Sequence, residues 1–320
     1  HTLLQKKPKL NFNIKMNNFL KKYWLKIFNK QIYDELKASE RIENDKKNFQ
    51  NNFEKQINFI HKKIETNKSL NFLHSGHTAD IVNVLPSIKE LSKNHKCNLY
   101  INVNKPLNLY YHKHPARGVY INDKIFKMLL PLLQKQKYIN KVEKFDGQEI
   151  DINFDIIREL PINLLFDNTK YSNPITGYQP DLNLPYLEVE SHKDIKGKIV
   201  IQRTFRYRNR FINYEFLNNY KNLLFVGTKE EFDDMYFTVK NLEFYDCKDF
   251  LEMASIIKAS KFIIANSSLA FPIAEGLKIP RLLEVCPHFP AAQPHGINGF
   301  DFYFQPHFEK FCKILNEKKD

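Results

Sequence analysis

Three short segments carry the side chains best suited to chemistry. The first is His74-Ser75-Gly76-His77-Thr78-Ala79-Asp80, a glycine-containing loop that ends in a carboxylate. An aspartate at the first turn of a helix can cap that helix; it can equally present a base at the mouth of a sheet. The second is Gln202-Arg203-Thr204-Phe205-Arg206-Tyr207-Arg208-Asn209-Arg210, directly after an apolar run. A guanidinium grips phosphate oxygens with paired N–H donors, so Arg203 and Arg210, with the Thr204 hydroxyl and Arg206, are candidates for holding a diphosphate. Strict alternation would instead put Arg206 and Arg208 on one side of a solvated loop, opposite Phe205 and Tyr207. The third is Asn266-Ser267-Ser268, between the apolar Phe262-Ile263-Ile264 and a helical stretch closed by Pro280. A polar loop that leaves a parallel strand and feeds a helix presents hydroxyls and backbone N–H groups to phosphate. Glu275 lies on that helix, where its own position reads as an ordinary helix-face charge.

Such loops need strands behind them and helices after them, and the pattern supplies both. From residue 70 the chain alternates. Strands are expected at 71–73, 98–103, 154–159 and 164–166, with helices over 80–93 and 123–137. A stretch rich in turn residues, 168–185 with Pro174, Gly177, Pro180 and Pro185, reads as the passage to a second half. There strands at 198–201, 222–227, 242–244 and 262–264 alternate with helices at 213–220, 230–239 and 249–259. The rhythm predicts an α/β protein with two Rossmann-like domains facing a cleft: residues 70–180, then residues 181–320.

Residues 1–69 read differently, as a helical extension. Phe19, Leu20, Tyr23, Trp24, Ile27 and Phe28 recur at helical spacing among Lys21, Lys22, Lys26 and Lys30, and Phe49, Phe53, Ile57, Ile60 and Ile64 form a second stripe. The first pattern, over residues 12–36, fits either a peripheral contact with an anionic membrane surface or a helix packed on its own domain or a second subunit.

Composition narrows the classes. The 320 residues carry a net charge of +13. Abundant Lys, Asn and Ile with scarce Gly is the usage of an AT-rich genome, which competes with a role in attracting anions. No nucleic-acid module appears, so no nucleic-acid partner is expected. No apolar run is long enough to span a bilayer. Cys97, Cys247, Cys286 and Cys312 are scattered without a C-x-x-C pair, which argues against a zinc ribbon or disulfide framework and suits a reducing cytoplasm. His74 and His77 flank Gly76 near the expected cleft, whereas His112, His114, His288, His295 and His307 are expected in loops. Neither H-E-x-x-H nor an Asp-x-Asp motif is present, so neither metal nor cofactor is expected.

Taken in order, three segments resemble the bacterial heptosyltransferases and related glycosyltransferases of the two-Rossmann-domain (GT-B) type, over residues 70–315. Ala79-Asp80-Ile81-Val82-Asn83-Val84-Leu85-Pro86-Ser87-Ile88-Lys89-Glu90-Leu91 resembles the family's G-D-x-x-x-x-L-P-x-x-x-x-L, with Ala79 in place of glycine. Residues 199–211 are similar to the strand and basic loop that open the family's second domain. Residues 266–280 align without gaps to N-D-S-G-x-x-H-x-A-A-A-L-G-x-P, but Ser267, Leu269 and Pro272 replace aspartate, glycine and histidine.

The resemblance implies metal-independent transfer of a sugar from a nucleotide-sugar donor to a hydroxyl on a glycan or lipid-linked acceptor, in surface-glycan or lipopolysaccharide biosynthesis. It implies Asp80 as the base of an inverting reaction, Arg203, Thr204, Arg206, Arg210, Asn266, Ser267, Ser268 and Glu275 at the donor, and His74, Gly76 and His77 in the cleft loop. Its three substitutions leave ADP-heptose itself open. A fucosyltransferase-like enzyme using a GDP-sugar and a non-catalytic glycan-binding or scaffolding relative are the alternatives. A cytoplasmic site, at the inner face of the membrane if the amphipathic segment docks there, and a homo-oligomer complete the expectations.

Overall fold

The computed structural model describes residues 18–107, 114–159 and 167–318. The chain divides into two compact units, His1–Glu54 and Lys55–Asp320. In the first, α1 (Asn18–Phe28) and α2 (Lys30–Asn48) are separated by Asn29, whose side chain accepts from Ile32 N and so caps α2. A single π-helical turn, Phe49–Phe53, follows. α3 (Glu54–Thr66) begins at the division and buries Ile60 and Ile64.

The second unit contains two parallel sheets. The first has the order β3-β2-β1-β4, from β1 (Ser69–His74), β2 (Lys96–Ile101), β3 (Lys141–Lys144) and the two-residue β4 (Ile152–Asn153). The second has the order β10-β9-β8-β5-β6-β7, from β5 (Ile199–Gln202), β6 (Leu223–Val226), β7 (Leu242–Tyr245), β8 (Phe262–Asn266), β9 (Arg281–Glu284) and β10 (Gly299–Phe302). Counted within its own half, the second sheet runs 3-2-1-4-5-6, the doubly wound Rossmann order, and the first runs 3-2-1-4. Each sheet therefore has a switch point, β1/β4 in one and β5/β8 in the other, where chain leaving the strands diverges and a crevice opens. β5, β6, β8 and β9 are buried along their whole length, as strands covered on both faces must be.

The helices between strands place the loops. α4 (Thr78–Asn83) and α5 (Leu85–Leu91) follow β1, and α6 (Asp123–Gln134) precedes β3. α7 (Asn173–Thr176) lies in the passage between halves. α8 (Lys229–Tyr236), α9 (Phe250–Ala259), α10 (Ala270–Leu277) and α11 (Gln305–Glu317) serve the second sheet. α6 packs on α9 and α4 on α10, so helices of the two halves meet. The second core gathers Phe225, Phe262, Phe302 and Phe308, with Phe302 and Phe308 stacked 4.1 Å apart.

Several elements depart from the sequence-based expectation. The helix expected over 80–93 is broken at Val84, because Pro86 in the first turn of α5 has no N–H with which to continue α4. Phe154–Glu159 is a 3-10 helix, not a strand: the ladder ends at Asn153, whose side chain accepts from Asp155 N and turns the chain. Residues 213–220 hold only the 3-10 turn Glu215–Asn219. His307 lies on α11, not in a loop. The strand expected at 164–166 and His112 lie outside the described residues.

Candidate functional site

At the switch point of the first sheet, the carboxyl end of β1 leads straight into α4. His74 is fully buried; its Nδ1 accepts from Gly76 N at 2.8 Å, and its Nε2 lies 2.5 Å from the Tyr171 hydroxyl, which donates to the Asp80 carbonyl at 3.0 Å. With Nδ1 accepting, the neutral ring carries its proton on Nε2. Burial pushes the His74 pKa down to about 4, against the opposing pull of Asp80 and Asp155. Asp80 closes a capping box, its Oδ2 accepting from His77 N at 3.0 Å and pairing with Arg158 Nη2 at 3.3 Å. None of these contacts uses Oδ1.

Asp155 accepts from Ser75 N, Arg158 Nη1 and Lys105 Nζ, each at 2.9 Å. Burial alone would raise its pKa, but His74, Ser75 and Lys105 bring it down to about 2. Gly76 is required here by close approach. A Cβ would stand 2.5 Å from Arg158 Nη2 and 2.6 Å from both Asp80 Oδ2 and His74 Cε1. This ionic cluster holds the loop, and His77 leaves it toward a cavity with its Nδ1 3.1 Å from the Tyr120 carbonyl.

At the switch point of the second sheet, the arginines divide. Arg203 makes a two-pronged pair with the fully buried Glu284, Nε to Oε2 at 2.7 Å and Nη2 to Oε1 at 2.8 Å. The same carboxylate accepts from the Tyr214 hydroxyl at 2.7 Å and Asn209 N at 2.6 Å. Arg208 bonds the carbonyls of Thr204 and Arg203 and pairs with Asp234 at 2.6 Å. Asn266 is fully buried and ties the loop down: its Nδ2 donates to the Thr204 and Arg206 carbonyls at 3.1 and 2.7 Å, and its Oδ1 accepts from Thr204 N at 3.2 Å. Tyr207, at φ +56, turns the chain between Arg206 and Arg208. Arg206 goes to the cavity, while Arg203, Arg208 and Arg210 line a separate depression with Tyr207 and His288.

That cavity, of about 390 Å³, opens between the two switch points. The first half supplies His77, Thr78, His114, Tyr120, Asn122, Lys124 and Met128. The second supplies Thr204, Phe205, Arg206, Ser268 and Leu269, then Gly227, Thr228, Lys229 and Glu231 from the turn into α8, and Asp246, Cys247, Phe250 and Met253 from the turn into α9. Thr228 and Glu231 form a capping box, and the first turn of α8 lines the cavity. Gly227, at φ +152, sits where a Cβ would meet Phe225 at 2.9 Å and Glu231 Oε2 at 3.1 Å.

The charges are mixed. Arg206, Lys124 and Lys229 stand against Glu231 and Asp246. Burial lowers the His77 pKa, and burial together with the Arg206 charge takes His114 down to about 3, so both rings are neutral at pH 7. Burial also raises the Glu231 carboxyl. The lining thus combines apolar side chains, Met128, Phe250, Met253 and Phe205, with the cationic Arg206, Lys124 and Lys229, a mixture suited to a ligand with both apolar and anionic parts.

Of the residues singled out from sequence, the structure brings His77, Thr204, Arg206 and Ser268 to the cavity lining. It places the rest around it. Asp80, His74 and Gly76 lie in the loop cluster; Arg203 and Asn266 fasten the arginine loop; Ser267 neighbours Ser268; Arg210 is exposed on the separate depression. Glu275 is buried with Arg281 Nε at 2.5 Å and Lys278 as partners, and accepts from His295 N. It supports the 286–298 segment rather than facing the cavity. Sequence reasoning passed over the turn into α8, although the T-x-x-E spacing of Thr228 and Glu231 after an apolar strand is a helix-start signal. Lys124, Met128, Asp246 and Cys247 carried no signal. Among the described residues, no cluster of three or more His, Cys, Asp or Glu side chains is placed to hold a metal ion.

No protein-family model matches this chain, and no curated protein matches it. Solved structures do. "E. coli heptosyltransferase WaaC with ADP" is similar with a TM-score of 0.53 at 9% sequence identity, covering 77% of this chain and 99% of that one. "E. coli heptosyltransferase WaaC with ADP-2-deoxy-2-fluoro heptose" is similar with a TM-score of 0.52 at the same 9% identity, 77% and 99% coverage. At that identity the likeness establishes a shared fold, the two-Rossmann GT-B arrangement.

Proposed function

We propose that this chain is a metal-independent glycosyltransferase that takes a nucleoside-diphosphate sugar in the cavity between its two switch points and transfers the sugar to a hydroxyl of a glycan or lipid-linked acceptor. The observation that carries the reading is the cavity itself, whose lining brings the apolar Met128, Phe250 and Met253 together with Arg206, Lys229 and the first residues of α8. The fold it shares with the E. coli heptosyltransferase structures with ADP and with ADP-2-deoxy-2-fluoro heptose is in keeping with it.

Residues 181–320 hold the donor and residues 70–180 the acceptor. The acceptor oxygen attacks the anomeric carbon, the bond from that carbon to the phosphate oxygen breaks, and the nucleoside diphosphate leaves. Arg206 and Lys229 neutralise the charge that develops on the departing phosphate. The acceptor proton passes to Asp80, whose Oδ1 is not used by the capping box or the Arg158 pair. His77 is the other group able to take it. It lines the cavity, and because its Nδ1 faces a carbonyl, the lone pair of the neutral ring sits on Nε2.

The test is thermal denaturation with ADP, GDP and UDP, then with their sugar conjugates, on the parent and on Arg206→Ala. A ligand at 100 times its Kd stabilises by about 2.7 kcal/mol. One nucleotide should do so, and Arg206→Ala should lose most of the shift. A response to GDP alone would move the reading to the fucosyltransferase-like class, and no response to any nucleotide would replace it with a scaffold. Asp80→Asn should keep nucleotide binding and the capping box while turnover falls by ~10²-fold or more; retained turnover would pass the base role to His77.

A further inference from the structure

In the N-terminal unit, α1 turns its apolar side outward. At about 100° per residue, Phe19, Leu20, Tyr23, Trp24, Ile27 and Phe28 fall within one half of the helix circumference. They are exposed by 74, 56, 60, 39, 57 and 67%, respectively. The opposite half is the one used for packing: Leu25 is buried, and Lys22 reaches Glu40 of α2 at 2.7 Å. A helix that packs by its stripe does the reverse. α1 holds no acidic residue, and the exposed Lys21 and Lys26 stand at the two borders of the apolar arc.

We infer that α1 is a membrane-docking helix that lies in the interface of an anionic bilayer, its aromatic face among the acyl chains and its bordering lysines on the headgroups. Charge selects the occupant. A second copy of the same face would bring lysine borders against lysine borders with no carboxylate in α1 to pair them, whereas anionic headgroups supply the missing charge on both sides. Tyr and Trp suit the depth at which one end of the ring is wet. None of the described helices is long and apolar enough to cross a membrane, so the contact is one of lying on the surface. Docking of this kind is independent of the proposed transfer chemistry.

Trp24 is the only tryptophan of the chain, so its fluorescence reports this face directly. The experiment titrates the full chain with phosphatidylcholine vesicles, with and without phosphatidylserine, and follows Trp24 emission and vesicle flotation. Phosphatidylserine should tighten binding by about tenfold or more, with a blue shift that added salt reverses. Lys21→Glu/Lys26→Glu should abolish the lipid preference, and Ile27→Asn/Phe28→Asn should remove binding to both vesicle types while circular dichroism stays unchanged. Equal partitioning to the two vesicle types, or no shift with either, would overturn the inference. So would a dimer in light scattering that Ile27→Asn/Phe28→Asn dissolves in the absence of any vesicle binding.

Discussion

Glu284→Gln tests how the arginine loop is held. Glu284 accepts four hydrogen bonds with no exposure to water: Arg203 Nε and the Tyr214 hydroxyl on Oε2, Arg203 Nη2 and Asn209 N on Oε1. A glutamine keeps one acceptor oxygen and turns an NH2 toward the other pair. Placed toward Oε2, it can donate to Tyr214, whose hydroxyl rotates to accept. Arg203 Nε then loses its acceptor and the guanidinium its countercharge. An unsatisfied buried donor costs about 1–3 kcal/mol, and breaking a buried ion pair about 3–5 kcal/mol. Since glutamine keeps the volume and half the bonds, the expected loss is about 3 kcal/mol, or roughly 4–6 °C in Tm. Urea denaturation at pH 7 measures it, with Tyr214→Phe as the control that removes one neutral donor for about 1 kcal/mol. Because Asn209 and Arg203 anchor the loop that carries Arg206, nucleotide affinity should fall as well. A loss below about 1 kcal/mol would refute the view that this carboxylate organises the loop.

Three further outcomes follow from the same geometry. His74 titrates at about 4 in the fold against an ordinary 6.5, so its contribution to stability is complete above pH 6.5 and is lost as pH falls toward 4. Between pH 7 and 4.5 the stability advantage of the parent over His74→Gln should shrink by about 2–3 kcal/mol in urea titrations; a constant difference would contradict the buried neutral ring. Gly76→Ala should cost about 1–3 kcal/mol in the same assay, because Arg158 can swing away from the new methyl but the buried His74 cannot. Asn266→Ala strips both donors from the Thr204 and Arg206 carbonyls and should weaken nucleotide binding by about tenfold with a stability loss of ~2 kcal/mol, whereas Ser267→Ala should change neither measurably.

What could be read from the chain alone was the architecture. Short apolar runs such as Phe262-Ile263-Ile264 and Leu223-Leu224-Phe225-Val226, alternating with helical patterns, read as strands covered on both faces, and they lie where the second half has its β8 and β6. Elements whose ends are charged escaped notice. β9 is Arg281-Leu282-Leu283-Glu284, and all four residues are buried only because each terminal charge finds an opposite one, Glu275 and Arg203. The same pairings explain why residue type pointed to arginines and acids as ligand-binding groups where the fold uses several as fasteners: the partner of Arg203 lies 81 residues away. The cavity was legible where a loop leaves a strand, as at His77, Thr204, Arg206 and Ser268, and illegible where packing of α6 on α9 brings Lys124 and Met128 opposite Asp246 and Cys247.

The left-handed residue at Tyr207 has a consequence for how this loop can change over time. With the backbone reversing there, which guanidinium enters the cavity is decided by counting from Gln202 rather than by the local richness in arginine. Exchanges of one basic residue for another at 208 or 210 would leave the site's charge intact, while insertion or deletion of a single residue between 203 and 207 would rotate Arg206 out and put an aromatic in its place. Length, more than composition, is the inherited quantity in this segment.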